Sequence, residues 1–148
     1  MKINFTKKQF ENLLKLVYLG AWMANAHRTD DRIKKYDNLE HYIFSFAKEF
    51  GFEEYVDNEA VGDGEFYPTR VFEEDTDVHQ LHDEYDDETF WDEIIDRMAH
   101  RDFIRKYGID KIQKMGREER WEKLGEFEDK YADEIDKNGI DRLEILEG

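Results

Sequence analysis

The sequence predicts a mainly α protein: a single-domain bundle of five or six helices across residues 1–148, with a long acidic loop at about 51–74 and a minor pair of short strands. Three observations carry this. Apolar residues recur at spacings of three and four in several separate stretches, the period of one helix face. Aromatic residues make up 15% of the chain, a share that a disordered chain with the same 41% of charged residues would lack. Gly51, Gly62, Gly64 and the single proline, Pro68, all fall in the one stretch without helical period. A chain of 148 residues buries enough surface to fold without a disulfide or a metal.

The first helix is expected to start at Thr6. Its hydroxyl can cap the N-terminus, Gln9 stands at the capping-box position, and Phe5 and Phe10 suit a hydrophobic staple. Phe10, Leu13, Leu14, Val17, Ala21 and Ala24 follow at helical spacing, and Leu16, Tyr18, Leu19 and Trp22 widen the stripe. A helix apolar nearly all round is a central, buried one. The run from Leu16 to Ala24 also has the outline of a secretory leader, but Glu11 and Asn12 stand where its basic segment belongs, so the amphipathic helix is preferred.

A second helix is expected from Thr29 or Asp30 to Phe50, with Tyr36, Leu39, Ile43, Phe46, Ala47 and Phe50 inward and Gly51 as its stop. Leu13, Val17, Ile43 and Phe46 are then the expected core. Residues 51–74 lose the period; Phe66-Tyr67 and Val71-Phe72 read as short extended pieces in an acidic loop. A third helix is expected at 76–85, and Asp86-Asp87 as a break that caps a fourth. The fourth carries Phe90, Trp91, Ile94, Ile95 and Met98 on one side, with Asp92, Glu93, Asp96 and His100 opposite. It is expected to run unbroken past Asp102, with its buried side changing. A short helix at 109–116 and a last one at 117–137, with Trp121, Leu124, Phe127, Tyr131 and Ile135 on its apolar face, complete the set. Asn138-Gly139 ends it, and Leu143, Ile145 and Leu146 suggest a tail strand.

Charge is the most unusual feature. Between Glu53 and Asp96 stand eighteen acidic residues and one base, Arg70, and the whole chain has a net charge of −16. Such a balance argues against direct binding to nucleic acid or to an anionic membrane. No apolar run reaches membrane-spanning length. The absence of cysteine excludes thiolate chemistry and disulfides and agrees with a cytoplasmic location.

Catalytic motifs are few. Ser45 is the single serine and has no glycine elbow, and Gly62 and Gly64 lack the rest of a phosphate loop. Glu134 to Ile145 echoes a calcium loop but fails at its first and last ligand positions. The metal candidates are His79 and His82, with Asp92 and Asp96. A hairpin turning at Asp86-Asp87 would set His82 level with Asp92 and His79 level with Asp96, two imidazoles and two carboxylates suited to a divalent metal. His79 lies off the apolar stripe, so its ring and that of His82 are expected to point apart.

Packing net charge into one third of a chain costs self-repulsion that a basic partner, divalent cations or the protein's own Lys/Arg helices would offset. The leading functional expectation is therefore a non-enzymatic interaction or regulatory protein. Its acidic face, Asp86, Asp87, Glu88, Asp92, Glu93 and Asp96, docks a basic partner protein, with mimicry of nucleic acid as one form. The alternative is a metal-binding protein or metal-dependent enzyme using His79, His82 and nearby carboxylates; no other cofactor is expected.

Overall fold

The computed structural model describes residues 2–59 and 61–144. Those residues form six α-helices: α1 (Lys7–Asn25), α2 (Lys34–Phe44), α3 (Arg70–Asp75), α4 (Val78–Tyr107), α5 (Ile109–Lys114) and α6 (Arg117–Asn138). Two short strands, β1 (Val56–Asp57) and β2 (Tyr67–Pro68), pair antiparallel with Val56 opposite Pro68. The protein is thus mainly α, with a minor strand pair. The chain divides into two compact units, and the boundary between Glu84 and Tyr85 falls inside α4.

In the first unit α1 begins as its sequence dictates. The Thr6 hydroxyl accepts from the Gln9 N–H, the Gln9 side chain accepts from the Thr6 N–H, and the Phe5 and Phe10 rings meet edge to face. The helix is not buried all round: Phe10, Leu14, Ala21 and Asn25 form the inner line, while Leu16 and Met23 face out. Helix α2 starts four residues later than Asp30, because Asn25 organises the link before it. The Asn25 side-chain Oδ1 accepts from the Ile33 N–H at 2.8 Å. Its amide donates to Asp37 at 2.8 Å and to the Ile33 carbonyl at 3.3 Å. Asn25 is 1% exposed, so its loss strands buried polar groups. Asn25→Ala is expected to lower stability by about 1–3 kcal/mol in urea unfolding. A variant as stable as wild type would mean that the link folds without this bridge.

The core centres on Leu14, Phe44, Phe72 and Val78, all fully buried. The expected set of Leu13, Val17, Ile43 and Phe46 packs against this centre half-buried, and Tyr36 and Leu39 are exposed. Helix α2 is rotated by about one residue from the expected phase. Val71-Phe72 is not extended but belongs to α3. Thr69 caps that helix from the Phe72 N–H at 3.2 Å, and the Thr76 hydroxyl donates to the Phe72 carbonyl at 2.7 Å.

No break occurs at Asp86-Asp87; both sit within α4. Aspartate is a poor helix former by only about 0.7 kcal/mol, and no glycine or proline interrupts the run. The Trp91 indole N–H reaches back to Asp87 at 3.1 Å, adding a bond across one turn.

In the second unit α4 continues through Asp102 as expected, and Ala99, Phe103, Met115 and Tyr131 are buried. The Tyr131 hydroxyl donates to Asp102, which Arg101 also holds at 2.9 Å. These donors, Arg101 first, hold the Asp102 carboxyl down at about 2. Helices α5 and α6 lie where the sequence places them, but Trp121 is 70% exposed rather than inward. Leu143 follows a turn and is in no strand; Ile145 and Leu146 lie outside the described residues.

Candidate functional site

The first unit holds a cleft of about 460 Å3 between the C-terminal half of α1, α2 and β2. Its walls are aromatic: Tyr18 and Trp22 from α1, His41 from α2 and Tyr67 from β2, the last two with ring centroids 4.5 Å apart. Its polar groups are Asn25, Arg32, Asp37 and Glu40.

These polar groups differ in how far they are satisfied. Asp37 accepts from Arg32 at 2.8 and 3.1 Å and from Asn25 at 2.8 Å. The Arg32 bonds, ahead of opposing burial, hold its carboxyl below the ordinary range. Glu40 has no hydrogen bond or ion pair among the described residues. Burial, and secondarily the charge of Asp37, pushes its carboxyl from 4.5 up to about 7. Glu40 is therefore the one carboxylate of the cleft whose charge is unspent. Such a group, desolvated in a concave site, is a functional candidate on physical grounds.

Tyr18 and Trp22 also join the cleft to the histidine pair. The Tyr18 hydroxyl donates to Glu73 at 2.8 Å, and burial followed by that bond raises its pKa. Glu73 stands 3.6 Å from the His79 Nε2. The His79 Nδ1 and His82 Nε2 lie 2.9 Å apart, so the two rings turn toward each other instead of apart. His82 stacks on Trp22 at 4.8 Å between centroids. The His82 Nδ1 is buried, with Asp83 at 2.9 Å but off the hydrogen-bond direction.

The expected four-residue metal set does not arise from a hairpin. His82 and Asp92 lie on the same continuous helix, ten residues apart, which at 1.5 Å per residue amounts to about 15 Å. Among the described residues no three histidine or carboxylate side chains group so as to hold a metal ion. Ser45 spends its hydroxyl on the Tyr42 carbonyl at 2.7 Å.

Asp86, Asp87, Glu88, Asp92, Glu93 and Asp96 are each exposed and lie in the second unit. Glu93 pairs with Arg97 at 2.7 Å and Asp96 with His100 at 3.0 Å, each within one helical turn. Among the described residues, three of the eighteen acids between Glu53 and Asp96 meet a lysine or arginine: Glu74 with Arg70, Asp77 with Lys15, and Glu93 with Arg97.

The sequence reading missed Glu40. A signal was present, because Asp37, Glu40, Phe44 and Ala47 share a helical stripe at spacings of three and four. Compared with protein-family models, with curated proteins and with solved structures, the chain matches none.

Proposed function

We propose that this is a non-enzymatic, cytoplasmic interaction protein that docks a basic surface of a partner protein through the acidic residues of α4. One form is occupation of a nucleic-acid-binding protein's cleft, with carboxylates standing in for phosphates. The observation that supports this reading is the shortage of internal partners. Fifteen of the eighteen acids between Glu53 and Asp96 have no lysine or arginine within ion-pair distance among the described residues. The chain's own bases therefore leave most of that charge to solvent, and a basic partner relieves the repulsion. No helix among the described residues is long and apolar enough to cross a membrane.

The test is capture from the native host at low and high salt, followed by association kinetics with the protein recovered. Attraction of this kind is screened beyond about 8 Å at physiological ionic strength, so association is expected to slow steeply with salt. Changing Asp92, Glu93 and Asp96 together to their amides is expected to slow association about tenfold at low salt. The fold is expected to hold, because all three side chains are exposed. A captured partner whose association ignores both salt and the triple change would refute the reading. Failure to capture any basic protein at low salt would refute it equally.

A further inference from the structure

We propose that the cleft lined by Tyr18, Trp22, His41 and Tyr67 binds an alkylated organic ammonium, with the Glu40 carboxylate as its counter-charge. The inference is independent of the acidic face of α4.

Three features of the cleft favour a cation of this type. Aromatic faces attract cations through the ring quadrupole, most strongly where water is excluded, and tryptophan is the best such face. The cleft is lined by tyrosine and tryptophan from α1 and by tyrosine from β2 around a volume of about 460 Å3, enough for a small organic molecule. Its charge also selects. The Arg32 guanidinium is bonded to Asp37 in a two-pronged pair, so Glu40 feels that charge only at a distance and has no hydrogen bond or ion pair among the described residues. An anionic ligand would meet Glu40 unpaired and is disfavoured. The number of acceptors then discriminates among cations. A primary ammonium brings three N–H donors, whereas the cleft offers one free carboxylate, since Asp37 already accepts from Arg32 and Asn25. An ammonium carrying methyl groups needs no such set and gains from the rings instead.

Affinity is expected to rise with pH, because the cation needs Glu40 ionised and burial pushes that carboxyl up to about 7. The charged and titratable groups around Glu40 are Asp37 and His41 on α2, Arg32 before it, Tyr18 on α1, Tyr67 on β2 and Glu73 on α3. Glu40→Gln removes its own contribution and is expected to flatten the part of the profile near pH 7.

The experiment is an NMR titration of the full chain, following the Trp22 indole N–H, with choline and with its uncharged carbon isostere, dimethylbutanol. Choline is expected to bind about tenfold more tightly than the isostere, a gap that reports charge and not shape. Glu40→Gln is expected to close most of it. A peptide bearing trimethyl-lysine, titrated alongside, assigns the source. Tighter binding than choline points to a protein side chain, and weaker binding to a free small molecule. Equal affinity for choline and the isostere, or no response to either in the millimolar range, would overturn the proposal. A choline preference that survives Glu40→Gln unchanged would remove Glu40 from it and overturn the proposal as stated.

Discussion

Phe72→Ala is expected to destabilise the first unit by about 3–5 kcal/mol in denaturant unfolding. The Phe72 side chain is fully buried and meets three aromatic rings edge to face: Tyr18 at 5.4 Å, Phe44 at 5.2 Å and Tyr55 at 5.4 Å. Truncation removes the transfer energy of the ring and leaves a cavity that three stiff neighbours cannot collapse into. It also loosens α3, a helix of six residues held in place chiefly by this side chain and its two threonine caps. Phe72→Leu keeps most of the volume and is expected to cost roughly half as much. The same truncation at Leu13, Val17, Ile43 or Phe46 is expected to cost less than at Phe72, because those four are half-buried. A loss below about 1 kcal/mol for Phe72→Ala would place the ring outside the core.

Where the sequence was legible, local chemistry and burial agreed. Thr6, Gln9, Phe5 and Phe10 fix the start of α1 by neighbours a few residues away, and the structure reproduces that start. Gly108 stands directly before α5, and Gly116 and Gly139 cap the two ends of α6. Reading failed where a local preference was outweighed. Asp86-Asp87 resembles a break, but two poor helix formers cost too little to interrupt a helix carried on both sides. Phe72 stands among Glu73, Glu74 and Asp75, and six residues are too few to show a period. Trp121 fits the apolar period of α6, yet its ring stays largely in solvent with the Arg117 guanidinium 5.8 Å from its centre.

The phase error in α2 has a different origin and leads to the cleft. Apolar residues vote for a face through Tyr36, Leu39, Ile43 and Phe46, but the side turned inward runs through Asp37, Glu40 and Phe44 and on to Ala47 in the 3-10 turn that follows α2, which ends at Phe44 and not at Phe50 as expected. Two of those four inward positions are acids, so a pattern built on hydrophobicity rotates the helix away from them. A sequence that sets carboxylates on its buried stripe breaks the pattern rule locally, and such breaks are expected at sites that serve function rather than folding. Asp37 is compensated by Asn25 and Arg32. Glu40 has no hydrogen bond or ion pair among the described residues, and its desolvation, only partly offset by the charge of Arg32, is a standing cost to the fold.

That cost makes Glu40→Gln a stabilising change whose size depends on pH. The folded carboxyl titrates at about 7 against an ordinary value of 4.5, through burial first and the charge of Asp37 second. A carboxyl held above its unfolded value binds its proton more tightly in the folded state. Below about 4.5 it is protonated in both states and costs nothing. As pH rises through the interval the unfolded state ionises first, and stability falls. Above about 7 the full penalty is present, on the order of 3 kcal/mol for the shift between those two values. Glutamine keeps the shape and never ionises. Urea unfolding of wild type and Glu40→Gln at pH 4, 6 and 8 is therefore expected to show a difference that moves in favour of the variant by about 3 kcal/mol from the lowest to the highest pH. At pH 4 the variant is expected to be equal to wild type or slightly weaker, because its amide N–H groups have no acceptor waiting. Asp37, His41 and Glu73 are present in both proteins, so their own titration largely cancels in the comparison. A difference that stays flat with pH would show that water reaches Glu40 freely. A difference that moves toward wild type as pH rises would show that Glu40 is ionised and paired in the folded state.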